Sequence, residues 1–199
     1  MNVLRDLLTH GLLASPERAE GSDAVTIPPL PAEDEAFDRE AQNRLKQEAF
    51  LKAGTRCFNQ KGFSGTSLDE IAEQLQVSKG AFYYHFANKE ALLTQCFDYT
   101  LDQLEQAVAR IEQLEAPPAA KLEAACRHIF VLQNSDQGPL VHFNAITALP
   151  PEVRQRLLGR LTSVHATLEN YVAQAAEARQ FRDIPPWICL LYTSPSPRD

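Results

Sequence analysis

The chain has 199 residues, 44% of them hydrophobic and 23% charged, with a formal net charge of −7. That is ordinary composition for a folded globular protein with a sizeable core, and it argues against a collagenous, low-complexity or wholly disordered chain. No apolar run approaches the roughly 18 residues that a membrane span needs. The four cysteines are scattered without a Cys-x-x-Cys pair, which points to reduced thiols rather than a zinc site or disulfide framework.

In MNVLRDLLTHGLL, Arg5 and Asp6 interrupt what would be the apolar core of a signal peptide, so a cytoplasmic protein is expected. Residues 14–41 hold four prolines and an acidic run from Glu33 to Glu40, so 1–41 is expected to be a disordered or linker extension. From 42 onward the pattern is helical. Phe50, Leu51, Gly54, Cys57 and Phe58 make one apolar stripe, which Gly62 is expected to end. Ser67-Leu-Asp-Glu70 has the spacing of a capping box and opens a helix with Leu68, Ile71, Ala72 and Leu75 turned inward. Ser78 is expected to cap a short helix, and Asn88 a long one carrying Leu92, Leu93, Phe97, Leu101, Leu104 and Val108.

Pro117-Pro118 breaks the long helix. Helices follow over 119–134, 139–149 and about 151–178, the last opened by Pro150-Pro151. The fold expected is all-α.

Charge is unevenly placed. Residues 42–93 carry seven Lys/Arg against five Asp/Glu, whereas 1–41 carry three against nine and 94–199 nine against twelve. The only net-positive stretch therefore contains 67–86, SLDEIAEQLQVSKGAFYYHF. Two capped helices joined by a turn of three or four residues form a helix-turn-helix, whose second helix enters the DNA major groove. On that reading Lys79 addresses a guanine edge or a phosphate, and Gly80 lets the backbone approach the groove. Phe82 and Phe86 turn back into the core, while Tyr83, Tyr84 and His85 face outward, where hydroxyl and imidazole donors suit phosphate oxygens. Lys89, with Asn88 and the free amides of the next helix, can join a phosphate. The competing reading is a surface helix whose aromatic residues pack on a neighbour.

Residues 44–104 resemble the DNA-binding domain of the tetracycline-repressor (TetR) family of bacterial transcription regulators. The likeness lies in FLKAGTRCF, KGF, GTSLDEIAEQL, VSKGAFYYHF and NKEALL. The resemblance implies an N-terminal helix-turn-helix domain (42–104) joined by a long helix to a helical ligand-binding and dimerisation domain (105–188). It also implies a homodimeric repressor, released from its operator by a small molecule. Position by position, Lys79 is similar to a base-contacting residue, Ser67, Tyr83, His85 and Lys89 to phosphate contacts, and Tyr84 to either. Ser78, Gly80 and Ala81 complete the expected DNA-facing set. Two departures are Gln76, where the family usually has Gly at a cost of roughly 1 kcal/mol for a left-handed backbone, and Gly54, where Ala is usual, at a similar cost in helix propensity.

Beyond about 115 the resemblance is architectural. Phe97, Phe130, His142, Phe143 and Tyr171 are candidate ligand-lining residues, with ordinary core packing as the alternative. No metal ligand set, cofactor or catalytic residue is expected: His128, His142 and His165 do not cluster in sequence, and no nucleophile–base pair is visible. The functional alternatives are a small-molecule enzyme using His142 and a protein-interaction or ligand-binding module without an operator. Residues 189–199, CLLYTSPSPRD, continue no helical pattern and can be encoded by a transposase-type sequencing adapter read in frame. The expectation is that authentic sequence stops near Ile188, without the two further helices through which the family dimerises, and that Met1 is internal to a longer protein.

Overall fold

The computed structural model describes residues 39–135 and 138–181. The expected N-terminal linker up to residue 38, the adapter-like segment and the proposed end near Ile188 lie outside the described residues. In chain order the helices are α1 (Arg39–Gly65), α2 (Leu68–Gln74), α3 (Lys79–His85), α4 (Lys89–Glu112) and α5 (Pro118–Asn134). A 3-10 helix (Phe143–Ala148) and α6 (Pro151–Glu177) follow. The described residues contain no β-strand, and the fold is all-α.

The helix boundaries follow local chemistry. Gly62 takes φ 69° and ψ 175°, which breaks α1 one turn before its end. Such a φ is open to glycine without a Cβ penalty. Ser78 Oγ accepts from the Ala81 amide at 3.2 Å and Asn88 Oδ1 from the Ala91 amide at 2.7 Å, as N-caps do. The expected capping box at Ser67 does not form: Ser67 occupies the N-cap position with no side-chain cap bond. Glu70, which would reach back to complete the box, pairs instead with Lys61. An ion pair to a neighbouring helix has replaced the reciprocal amide bond.

The chain divides into two compact units. Among the described residues, one takes in 39–105 with 129–161, and the other 106–128 with 162–181. The first has a core built on three rings from α1 and α3 and the residue that ends α3. Phe50 lies 5.2 Å from Phe82 and 6.1 Å from Phe86, and Phe82 lies 5.3 Å from Phe86, centroid to centroid. Such tilted and edge-on pairs contribute about 0.5–1.5 kcal/mol each beyond the area they bury. Leu68, Ile71 and Ala72 of α2 and Leu92, Leu93 and Phe97 of α4 close this core. At Gly54 a Cβ would lie 3.0 Å from Leu92 Cδ2, so the glycine permits the close approach of α1 to α4. Its cost in helix propensity is offset by packing that alanine would crowd.

The stretch 139–149 is not the α-helix its apolar spacing predicts. Residues 139–142 are non-helical, and only Phe143–Ala148 form a 3-10 helix. The reason lies in where the backbone groups find partners. Asn59 donates to the Leu140 carbonyl at 2.9 Å and accepts from the His142 amide at 2.8 Å, and Thr100 Oγ1 accepts from the Val141 amide at 3.1 Å. Side chains of α1 and α4 thus satisfy groups that a helix would have paired internally. The segment 129–161 falls in the same compact unit as the helix-turn-helix.

Within this unit Arg160 of α6 is bound to three carboxylates of α4. Its guanidinium reaches Asp98 at 2.9 Å, Asp102 at 2.5 Å and Glu105 at 2.7 Å, and Arg156 makes a two-bond fork with Asp98. The second unit packs Ile111, Ala124, Ala125, Leu168 and Tyr171 together, with Val172, Ala175 and Phe181 as a smaller cluster.

Candidate nucleic-acid interface

The turn between α2 and α3 is set by one backbone motif. Gln76 has φ 55°, its amide donates to the Glu73 carbonyl at 3.0 Å, and the Val77 amide donates to the Ala72 carbonyl at 3.0 Å. That pair of bonds defines a Schellman ending with Gln76 in the left-handed position. The chain leaves α2 at a fixed angle, and Ser78 at once caps α3.

Helix α3 therefore presents a fixed division of side chains. Phe82 is fully buried, as is Phe86, the residue that caps the helix's C-terminus. Tyr83 is 46% and Tyr84 87% exposed, the outward placement expected of them. Ser67, Ser78, Lys79, Gly80 and Ala81 are also exposed. A Cβ added at Gly80 would meet nothing within 4 Å, so no packing within the protein demands glycine there.

His85 departs from expectation. It is half-buried, with its ring edge-on to Phe50 at 5.3 Å and to Tyr84 at 5.4 Å, because the last turn of α3 rotates it towards α1. Its role is partly to pack. Lys89 is also half-buried: its ammonium donates to the Thr66 carbonyl at 3.1 Å and lies 4.6 Å from the centre of the Phe63 ring. One of its three donors is used on the Thr66 carbonyl and the charge lies over the ring face, which leaves two further donors. Asn88 uses its side-chain oxygen to cap α4.

Asp69, in the first turn of α2, was not singled out by sequence. Its carboxylate accepts from Lys79 Nζ at 2.5 Å and from the Tyr83 hydroxyl at 3.4 Å. The Lys79 hydrogen bond is the main cause holding the Asp69 carboxyl below its ordinary range, and Asp69 in turn raises the Lys79 ammonium. Thr66 was missed as well; it is buried and its hydroxyl donates to the Gly62 carbonyl at 2.8 Å, which fixes the loop that Lys89 grips. Spacings of ten, fourteen and twenty-three residues across turns carry no periodic signal, so only the folded geometry reveals these partners.

The five candidate ligand-lining residues divide between the two units. Phe97 and Phe143 meet as a tilted pair, centroids 5.4 Å apart, in the core of the first unit. Phe130 is 69% exposed, and His142 is exposed at the edge of the 3-10 helix. Tyr171 lies in the other unit, where its buried hydroxyl has no hydrogen-bond partner and burial pushes the phenol up to about 12. Among the described residues no three His, Cys, Asp or Glu side chains converge in a metal-holding group, and no helix is long and apolar enough to cross a membrane.

Residues 50–96 match the family described as bacterial regulatory proteins, tetR family. Over 68 residues the chain is 41% identical to the uncharacterized HTH-type transcriptional regulator YerO of Bacillus subtilis, covering 34% of this chain and 24% of YerO. Over 78 residues it is 30% identical to the HTH-type transcriptional repressor DhaR of Mycobacterium sp., covering 39% of each. The chain thus spans only about a quarter to two fifths of these relatives' lengths. Among solved structures, AibR in complex with isovaleryl coenzyme A and operator DNA is similar at a TM-score of 0.59 and 26% identity, covering 77% of this chain and 89% of AibR. Helix order and the helix-turn-helix agree with that match, so residues 50–96 are similar to the tetR family of bacterial regulatory proteins and the described residues share the fold of AibR.

Proposed function

We propose that this protein is a DNA-binding transcriptional regulator, acting in the cytoplasm as a homodimeric repressor that a small organic molecule releases from its operator. The observation that carries the reading is the division of α3. Phe82 is wholly buried, while Lys79, Tyr83 and Tyr84 stand exposed beside a half-buried Lys89. A helix that only packed on a neighbour would have no use for that set on its open face. On this reading Lys79, near the start of α3, addresses base edges. Ser67, Ser78, Tyr83 and Lys89, with the exposed backbone at Gly80 and Ala81, then contact phosphates. Tyr84 can serve either role, and His85 adds a ring edge that also packs on Phe50. The function is binding rather than catalysis. Release by a ligand draws support from AibR, whose structure holds both isovaleryl coenzyme A and operator DNA. Helix α4 runs unbroken from Lys89 to Glu112, and a ligand that favours one of its tilts would change the spacing of two half-sites.

The test is selection of duplexes from a randomised pool, followed by titration at several salt concentrations. The expected product is an inverted repeat bound with a steep salt dependence. Lys79→Ala should relax preference at one base position by roughly 1–3 kcal/mol, whereas Lys89→Ala should weaken all sequences alike. Enrichment of no symmetric site, or full discrimination by the Lys79 variant, would overturn the assignment.

A further inference from the structure

We infer that Asp69 is a specificity-determining positioning residue, which holds Lys79 for base reading and keeps its charge off the phosphate backbone. The inference rests on the DNA-binding reading above. An ammonium on four methylenes is a mobile point charge, and an unrestrained lysine on a DNA-facing helix settles on whichever anion is nearest. In duplex DNA the nearest anion is a phosphate, and that contact carries no sequence information.

Here the ammonium is restrained. Asp69 reaches from the first turn of α2 and accepts from Lys79 Nζ at 2.5 Å, while the Tyr83 hydroxyl donates to its other oxygen at 3.4 Å. All three side chains are on the exposed surface of the helix-turn-helix. The carboxylate occupies one of three ammonium donors and leaves two, enough for the N7 and O6 acceptors of one guanine. It also cancels the local charge, and Glu73 contributes further negative potential at Lys79. A phosphate brought to this pair meets a fixed carboxylate, whereas a neutral base edge does not. Repulsion of the wrong contact is one way an interface acquires specificity. The Tyr83 hydroxyl adds a long, weak second contact to the carboxylate, and the Lys79 pair is made before DNA arrives. Ordering it in advance removes part of the side-chain entropy cost from the binding step.

The experiment compares the full chain with Asp69→Asn, Asp69→Glu, Lys79→Ala and the double variant Asp69→Asn/Lys79→Ala. The probes are a duplex selected from a randomised pool by the unaltered protein and a scrambled duplex of the same length. Asp69→Asn keeps the shape and removes the charge. It should tighten binding to the scrambled duplex and steepen the log–log salt slope by about 0.9 per protomer, as one more phosphate is contacted. Preference for the selected duplex should fall about tenfold, within the range expected for losing one base contact. Asp69→Glu should restore most of the preference. In the Lys79→Ala background the Asn substitution should have no further effect on slope or preference.

An unchanged slope and preference in Asp69→Asn would overturn the role of Asp69 while leaving DNA binding intact. So would an equal effect with Lys79 absent, because the carboxylate would then act by general repulsion. Failure of the unaltered protein to bind either duplex would overturn the DNA-binding reading and this inference together.

Discussion

Replacing Gln76 by glycine should stabilise the protein. Gln76 holds φ 55° between α2 and α3, and its side chain is exposed, so the substitution removes little packing. Both bonds of the turn are backbone bonds, from Gln76 to Glu73 and from Val77 to Ala72, and glycine keeps them. A non-glycine residue in this left-handed region carries about 1–2 kcal/mol of strain. Against that relief stands the greater freedom of glycine in the unfolded chain, about 0.4–1 kcal/mol. The net expectation is a gain of about 0.5–1 kcal/mol. Urea unfolding followed by circular dichroism should show a higher midpoint with an unchanged slope. Gln76→Val, which puts a β-branched residue into the same conformation, should lose about 1 kcal/mol or more. Arg179, also exposed and at φ 54° after α6, closes the same motif through the Arg179 and Gln180 amides and offers an independent repeat in the second unit. A lower midpoint for Gln76→Gly, or equal midpoints for the glycine and valine variants, would refute the strain argument.

Arg160→Ala would leave Asp98, Asp102 and Glu105 facing one another along α4, with Arg156 on Asp98 alone, and should cost about 1–2 kcal/mol at low ionic strength. Unfolding measured in dilute and in molar salt should show the loss shrinking as salt rises; a salt-independent loss would mean that packing, not charge, was removed. His128 and His165 both have their pKa lowered, chiefly by burial. Between the folded value and the unfolded value of about 6.5 the unfolded chain binds more protons, so stability should be full above pH 6.5 and decline below it. Replacing both by glutamine should flatten a pH series of thermal unfolding in that window, and an unchanged decline would assign it to other groups.

The sequence by itself determined the helices and most of their ends. Ser78 and Asn88 can cap, Pro118 and Pro151 can open, and Gly62 can turn left-handed whatever surrounds them, because each acts on its own backbone within a few residues. It also determined which α3 residues turn in and which turn out, except at His85, where a half-turn of helix leaves either side open and Phe50 decided. What the tertiary structure decided were partners far apart in the chain. Glu70 could have completed a cap, but Lys61 was within reach of its carboxylate. Residues 139–142 carry helical spacing, yet Asn59 and Thr100 satisfy their backbone and hold them out of a helix. Lys79 is legible as an exposed residue near the start of α3, but the carboxylate that it pairs with comes from α2 across a turn. Local rules specify backbone conformation because the competing states are local; a side chain with several acceptors in reach takes the one that folding places nearest.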